Sequence, residues 1–575
     1  MLVRQLLQET ASGIAHAMTS PRFPEPPPSV PATPVAEVDK QLQRVASQKD
    51  AWLRVSLPQR IALLEAAQQG VQQQAAPWVA ALNALKGLSP DESAAGEDWL
   101  AGPMTTARNI RLLIDALKQG GQPKPPRLKQ RAGGQWVADV FPTTIEEKLA
   151  YTGWRAEVWI EPGKAPSQGR AYKDKQSIGK VALVLGAGNV SSIAPMDFLF
   201  KLFVENEVCI LKMNPVNEVG GPFLTKAFAA LIDGGFLAIV YGGAEVGRHL
   251  TDHALVDTIH ITGSDRTHDA IVWGDSPKSG APRNNKPITS ELGCVTPVLV
   301  VPGPWSDGDL DFQARHIAGM VAQNGSFNCN AAKVVITAKG WQLRERFLQK
   351  LEAALAKAPP RKAYYPGAAQ RYAGFLESYP KAKVLGATGE HIVPWTLIPD
   401  VPAKKGEYAL SNEAFCGVLG ETSLEATDAA DFLAKGVAFC NDQVWGTLSC
   451  MLLIHPDTQK QHAAAFATAI ADLRYGGIAV NGWAGAIYGL CQTTWGAFPG
   501  HTLEDIQSGR GVVHNTFMFD HPQKSVVYLP FRIWPTPVWM ADHKNLRALG
   551  EKLTRFEAAP SMLKLPAIVA QAIKG

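Results

Sequence analysis

The stretch VALVLGAGNVSSIAPMDFLFKLFVENEVCILKMNP (181–215) decides the architecture. VALVL (181–185) and VCILK (208–212) are unbroken apolar runs, predicted as strands, and Pro195 to Asn206 between them is predicted as a helix. Continuous apolar strands alternating with helices belong to a parallel sheet covered on both faces. Working downstream, the rhythm persists: a helix over Phe223 to Ile232 is stopped by Gly234-Gly235, and FLAIVY (236–241) and VDTIHI (256–261) are further strands. A second α/β run starts at Pro297 with PVLVV, a helix near Leu310 to Gln323, KVVIT, CMLLI (450–454) and IAV (478–480). The tail from Gly500 is aromatic- and proline-rich, with one strand-like piece, SVVYLPFRI, and a last helix near Ala541 to Phe556.

Upstream, residues 1–36 begin with an amphipathic stretch, Leu2 to Ala17, and then carry seven prolines between Pro21 and Pro34, which favours an extended, semi-rigid arm. Ser56 and Gln59 form a capping-box pattern with Pro58 in the tolerated first turn. A second helix is predicted over Ala80 to Leu85 and a third through Ile110 to Leu117, ending at Gly120-Gly121. WVADVFP and RAEVWIEPG read as short strands of an arm or hairpin.

Composition removes several function classes. The 575 residues allow three or four domains at about 150 residues each. With 56 Lys+Arg against 52 Asp+Glu, the formal charge is only +4, so there is no basic footprint for nucleic acid. No apolar run is long enough for a membrane span, and the start lacks the continuous apolar core of a secretory signal. The seven cysteines form no CxxC pair, which argues for a reducing compartment and against a disulfide framework or zinc cluster. The expected compartment is the cytoplasm.

Four segments could carry chemistry. Gly186-x-Gly188 after a strand suits a dinucleotide loop, but Ser191 replaces the third glycine of that fingerprint, so a plain strand–helix turn fits as well. Glu207 lies near the ribose-binding distance. Cys329, in QNGSFNCNAAKVV, is either packing before a buried strand or a nucleophile whose Asn- and Gly-containing turn supplies backbone N–H groups. Glu291, in ITSELGC, is either a paired carboxylate at an element end or a general base facing a cleft. His249 and His253 share a helical face, but no third ligand stands at a persuasive spacing, so they are read as ordinary histidines and no metal is expected.

Taken in order, these segments resemble the aldehyde dehydrogenase superfamily from about residue 50 to 510. Asn189 in GAGNV, Lys212 in ILKMNP, the TGS turn Thr262-Gly263-Ser264, Glu291 in SELGC, Cys329 in NGSFNC, Glu413 and Phe415 in NEAFCGV, and the segments AVNGWAG and WGAFPGHTLEDIQSGRG carry the likeness. The resemblance implies an α/β fold with two Rossmann-like parallel-sheet domains and a small β oligomerisation arm. The implied division is an N-terminal arm over 1–45, a cofactor domain from 46–150 and 176–290, an oligomerisation hairpin at 151–175, a catalytic domain at 291–500, and a C-terminal extension at 501–575 serving oligomerisation or a substrate channel.

The resemblance further implies NAD(P)-dependent oxidation of an aldehyde to an acid. Cys329 is then the nucleophile, Asn189 the oxyanion donor and Glu291 the general base. Lys212, Gly263, Ser264, Glu413 and Phe415 contact NAD or NADP. The partners implied are a small aldehyde and further copies of the chain, as a dimer or tetramer. Four departures from the family pattern stand out: Cys294 replaces a glycine after ELG, Ser326-Phe327-Asn328 replaces the usual loop before the nucleophile, Arg266-Thr267-His268 stands where a glycine is expected a few residues after TGS, and Pro215 replaces an acid that selects against a 2′-phosphate. Two alternatives remain: a coenzyme A-linked acylating enzyme of the same architecture, and a non-catalytic relative that keeps the fold. The fifteen tryptophans and the tail YLPFRIWPTPVW are compatible with an apolar or aromatic aldehyde, and ordinary packing explains them as well.

Overall fold

Val181–Leu185 and Val208–Lys212 pair in parallel and are buried almost throughout, as their unbroken apolar sequence demands. They are the centre of one of two large sheets in the computed structural model, which describes residues 23–26, 28–174, 176–278 and 280–575. In this sheet Leu237–Val240 lies outside Val208–Lys212, Thr258–Thr262 and Ile288–Glu291 lie on the other side of Val181–Leu185, and Gly509–Arg510 closes the edge antiparallel. Helix Ile193–Phe203 is buried along its whole length. It returns the chain from one central strand to the next.

The second sheet has eleven strands among the described residues. Its parallel heart is Gly477–Val480, Ser449–Leu453, Pro297–Val300, Val334–Ala338, Val418–Leu424 and Thr396–Ile398, in that spatial order. Each sheet has its own hydrophobic core, one around Leu183, Phe198 and Ile210, the other around Val298, Ile336 and Leu452. At about 1.5–3 kcal/mol for each fully buried aliphatic side chain, these two cores are the main stabilising term.

Several expectations need correction. Helix Val35–Arg54 starts inside the region read as an extended arm, its Val38, Leu42, Val45 and Trp52 forming one buried stripe. The apolar spacing was present, but the prolines just before it masked the start. The capping box at Ser56 is present, with Gln59 Oε1 accepting the Ser56 N–H at 2.9 Å, and the helix it opens runs unbroken over Leu57–Leu85 rather than stopping before Ala80. The helix expected over Phe223 to Ile232 breaks at Phe228 into Gly221–Ala227 and Ala229–Asp233.

The hairpin expected at 151–175 instead pairs Trp136–Phe141 with Arg155–Ile160, and Pro522–Tyr528 of the tail joins it to Gly477–Val480. These antiparallel strands extend the second sheet. The helix expected near Ala541 to Phe556 is Leu546–Ala558, and a further helix, Leu565–Ala572, follows it. The tail helix is locked to Thr105–Lys118 by a buried ionic cluster: Arg108 bonds Glu557 at 2.6 Å and Glu147 at 2.7 Å, and Tyr151 donates to Glu557 at 2.8 Å. No described helix is long and apolar enough to cross a membrane. The amphipathic stretch Leu2 to Ala17 lies outside the described residues.

Candidate active site

Helix Asp307–Ala322, capped by Ser306, delivers the chain to a turn in which Asn324, Gly325 and Ser326 have φ of 54°, 65° and 69°. Asn and Gly tolerate this left-handed conformation; Ser does so at a cost, and the turn persists because its surroundings fix it. The Asn324 N–H donates to Glu97 at 3.0 Å, and Glu97 is clamped by both arms of Arg361 at 2.8 Å. Lys333 donates to the Ser326 carbonyl at 3.1 Å. The Asn324 amide reaches the Asn189 carbonyl and Asn328 Oδ1, each at 3.0 Å. Tyr364 donates to the Asn189 carbonyl and Asn324 Oδ1, each at 3.1 Å.

This scaffold presents Cys329, whose carbonyl is held by Thr296 at 3.1 Å. Of the seven cysteines, Cys329 alone keeps contact with solvent; the other six are buried. Its surroundings push the thiol pKa up, first by burial and then through the carboxyls of Glu413 and Glu291. The resting sulfur is therefore a thiol and needs a proton acceptor to become a nucleophile.

Asn189 follows strand Val181–Leu185 and bridges the two sheets. One of its amide hydrogens goes to the Phe327 carbonyl at 2.9 Å, which leaves the other to donate elsewhere. Glu291 ends strand Ile288–Glu291, level with Thr262 in the neighbouring strand. Since strand side chains alternate, His260, Thr262, Thr289 and Glu291 share one face of the sheet. Asp197 of helix Ile193–Phe203 meets that face. Thr262 donates to Asp197 at 3.0 Å, His260 Nε2 lies 3.5 Å from Asp197, and His260 Nδ1 is 2.9 Å from Thr289 Oγ1. Ligand-type atoms of Asp197, His260 and Glu291 all lie within 4.8 Å of one another. Burial, and then the nearby Asp197 carboxyl, hold Glu291 well above the usual carboxylate range. Its Oε1 is buried without a partner among the described residues.

At the C-terminal ends of the first sheet's strands sit Lys212, Gly263 and Ser264. Lys212 is 9% exposed, and burial lowers its pKa to about 8 against the pull of Glu25 and Glu218. Gly263 donates its N–H to the Glu291 carbonyl at 3.0 Å, tying the TGS turn to the candidate base. Ser264 caps helix Asp265–Val272 by accepting the Thr267 N–H at 3.2 Å. Glu413 and Phe415 come from the second sheet's side. Burial pushes Glu413 up to about 8 against the pull of Lys333, and its Oε1 has no partner among the described residues. Phe415 has φ 43°, and Arg371 bonds its carbonyl at 2.9 Å.

Comparison with known proteins finds similar sequences and folds. Residues 151–367 match the aldehyde dehydrogenase family profile. A 171-residue stretch is 34% identical to an NADP-dependent glyceraldehyde-3-phosphate dehydrogenase of Scenedesmus vacuolatus, covering 29% of this chain and 64% of that protein. The fold superposes on Staphylococcus aureus AldH in its substrate-bound state with a TM-score of 0.60 at 14% identity, covering 87% of this chain and 96% of that one. Over these stretches the chain is similar to the aldehyde dehydrogenase family, and its fold is that of the solved aldehyde dehydrogenases. An indole-3-acetaldehyde dehydrogenase complexed with NAD+ is a further superfamily neighbour, with a TM-score of 0.57 at 18% identity and coverage of 87% and 90%. At such identities the structural likeness speaks for the superfamily fold alone. The aligned stretches span between 27% and 64% of the first three curated relatives.

The structure brings Glu413 and Glu291 near enough to Cys329 to act on its thiol, ties Asn189 to the Phe327 carbonyl two residues before it, and leaves Lys212, Gly263 and Ser264 at strand ends of the first sheet. Some sequence candidates fall elsewhere. Glu207 lies at the opposite, N-terminal end of its strand, bonded to Thr258 at 2.7 Å and facing Lys201 at 3.7 Å, so it is a structural carboxylate. Cys294 is fully buried, with its pKa pushed up to about 11, and is no second surface thiol. His249 pairs with Asp39 at 2.6 Å, and His253 lies 3.8 Å from the same oxygen. That third group, 210 residues from His249 in sequence, is invisible to motif spacing. Sequence reading also missed Asp197, His260, Asn324 and Tyr364; of these, only the NG pair at 324–325 carried a local signal, for a left-handed turn.

Proposed function

We propose that the chain oxidises a small aldehyde to its carboxylic acid with NAD+ or NADP+, through a thioester on Cys329. The observation that carries this reading is that Cys329, the one cysteine of the seven that is not fully buried, lies under the influence of two buried carboxyls, Glu291 and Glu413, each holding an oxygen without a partner among the described residues. A dinucleotide fits the residues present. The orphaned Glu413 Oε1 suits a ribose hydroxyl as donor, Lys212 suits the other ribose, Phe415 offers an apolar wall, and the turn at Gly263 and Ser264 opens a helix N-terminus toward phosphate. A nicotinamide held by these residues would supply the hydride acceptor for the oxidation.

The chain's own residues do the rest. Glu291 takes the Cys329 proton, and the sulfur adds to the aldehyde carbon. The free amide hydrogen of Asn189 and the Cys329 backbone N–H receive the charge on oxygen, each such donor being worth about 3–4 kcal/mol. After hydride loss, Glu291 releases the first proton to solvent, then takes a proton from the water that attacks the thioester and returns it to the departing sulfur, so that the acid leaves and the Cys329 thiol is restored. The high proton affinity of Glu291 suits both transfers.

The seven free cysteines support a reducing, cytoplasmic setting, and the exposed Ile145 and Leu149, four apart on one helix, offer apolar surface that a homo-oligomer would cover. An aldehyde panel assayed for NAD(P)H formation with each cofactor tests the reading. Aldehyde-dependent reduction without coenzyme A is expected. Turnover only when coenzyme A is added would replace hydrolysis by acyl transfer, and no turnover with any aldehyde would remove the enzyme reading.

A further inference from the structure

The described residues of the proline-rich arm, 23–26 and 28–34, pack against the body of the protein on the side of Phe415, Glu218 and Tyr241. At one end, the Phe23 ring packs edge-on against Phe415 and Tyr365, with centroids 5.2 and 5.1 Å away, and lies 5.1 Å from the Arg371 guanidinium. At the other end, Thr33 trades hydrogen bonds with Tyr241, N–H to carbonyl at 3.1 Å and N–H to Oγ1 at 3.0 Å, at the outer edge of the first sheet. Between them, the Ser29 and Val30 N–H groups both donate to Glu218, at 2.5 and 3.0 Å.

Glu25 falls in the middle of this span. Its carboxylate accepts the Ala244 N–H at 2.6 Å, at the start of the nine-residue helix Ala244–Asp252. Its charge favours the Lys212 cation more than that of Glu218 does. Lys212 is nine-tenths buried and forms no hydrogen bond or ion pair with a described residue. A helix N-terminus and an unpartnered buried ammonium together make an anion subsite. The chain fills it with its own carboxylate. Position 215, where a strand-borne acid would stand beside Lys212, is proline.

We propose that Glu25 selects the cofactor: carried in by the arm, its carboxylate occupies the anion subsite at Lys212 and Ala244, accepts the adenosine ribose hydroxyl of NAD+, and keeps the 2′-phosphate of NADP+ out. This rests on the reading that a dinucleotide binds along the first sheet with Lys212 at its ribose. A ribose hydroxyl donates to a carboxylate, whereas a phosphate has only acceptors and negative charge to offer it. Phe23 and Thr33 pin the arm on either side, so the carboxylate reaches the subsite although it lies far in sequence from Lys212.

The test measures kcat/KM for NAD+ and for NADP+ in the full chain with one accepted aldehyde, together with direct binding of both reduced cofactors by fluorescence. Wild-type protein is expected to favour NAD+. Glu25→Gln keeps the shape and removes the charge; it should raise the NADP+/NAD+ ratio of kcat/KM at least tenfold, chiefly through a lower KM for NADP+. Phe23→Ala, which loosens the arm without touching the subsite, should move the ratio in the same direction. A ratio within threefold of wild type in Glu25→Gln overturns the proposal, as does an equal loss with both cofactors or a wild-type preference for NADP+. Failure of wild-type protein to bind either dinucleotide overturns it as well, and marks the dinucleotide reading itself as the fault.

Discussion

The side-chain amide of Asn189 donates to the backbone carbonyl of Phe327 across 2.9 Å, joining the end of a strand in one sheet to the loop that carries Cys329 from the other. Asn324 and Tyr364 return the tie by bonding the Asn189 carbonyl. The proposed nucleophile and its oxyanion donor are thus fixed relative to each other before any substrate arrives, the arrangement electrostatic catalysis requires.

Removing that donor separates chemistry from binding. Asn189→Ala is expected to lower kcat by about 10²–10³-fold, or about 3–4 kcal/mol. Cofactor affinity should change little, because the ribose contacts assigned to Lys212 and Glu413 do not involve Asn189. Steady-state kinetics with fluorescence titration of the cofactor checks this; an unchanged kcat would take Asn189 out of its role.

As the proposed general base, Glu291 is expected to control the pH profile. Burial and Asp197 hold its proton on, so the base form increases as pH rises through its elevated pKa, and thioester hydrolysis should speed up toward alkaline pH. Asp197→Asn removes the neighbouring carboxyl and should shift that limb to lower pH, a displacement a merely structural role would not produce. Glu291→Gln should slow thioester hydrolysis below hydride transfer and give a burst of NAD(P)H in stopped flow. An equally slow first turnover with no burst would contradict the assignment.

Much of the fold was legible because it depends on local pattern. Val181–Leu185 and Val208–Lys212 are apolar at nearly every position, and a chain of that kind has few places to go except the middle of a parallel sheet. The capping box at Ser56 and Gln59 is equally local. The site was legible only through the order of its motifs. What escaped are partnerships made by three-dimensional neighbourhood: Asp197 and His260 meet Glu291 because parallel register sets two strands level under one helix, and Glu25 meets Ala244 from 219 positions away. Neither has a spacing to read. Prolines before Val35 also disguised a twenty-residue helix.

Two buried histidines set the acid limit of stability. Burial depresses His316 and His514 to about 3, far below the usual value near 6.5. The unfolded chain therefore binds protons there that the folded chain refuses. The contribution of these two groups to stability is complete above about pH 6.5 and declines as pH falls toward 3, by about 1.4 kcal/mol per pH unit for each group. Denaturant midpoints at pH 7 and pH 5 should differ, and the double variant His316→Gln, His514→Gln should flatten the difference. An unaltered pH dependence would contradict the account.

The tail is held by charge inside the protein. Glu557 accepts from Arg108, Arg111 and Tyr151 with no exposure to solvent. Glu557→Gln leaves the two guanidinium groups short of a counter-charge and is expected to cost about 3–5 kcal/mol. Chemical denaturation checks it, and limited proteolysis should cut first around Leu546–Ala558. Wild-type stability in the variant would show that the cluster does not anchor the tail.

The most direct test of the central claim is to catch the covalent intermediate. Glu291→Gln protein mixed with an accepted aldehyde and NAD(P)+, quenched in acid and digested, should show one acyl group on the peptide containing Cys329, in proportion to the NAD(P)H burst. Cys329→Ala protein should show neither acyl group nor NAD(P)H. An acyl group on any other residue, or aldehyde oxidation persisting without the Cys329 thiol, would contradict the account.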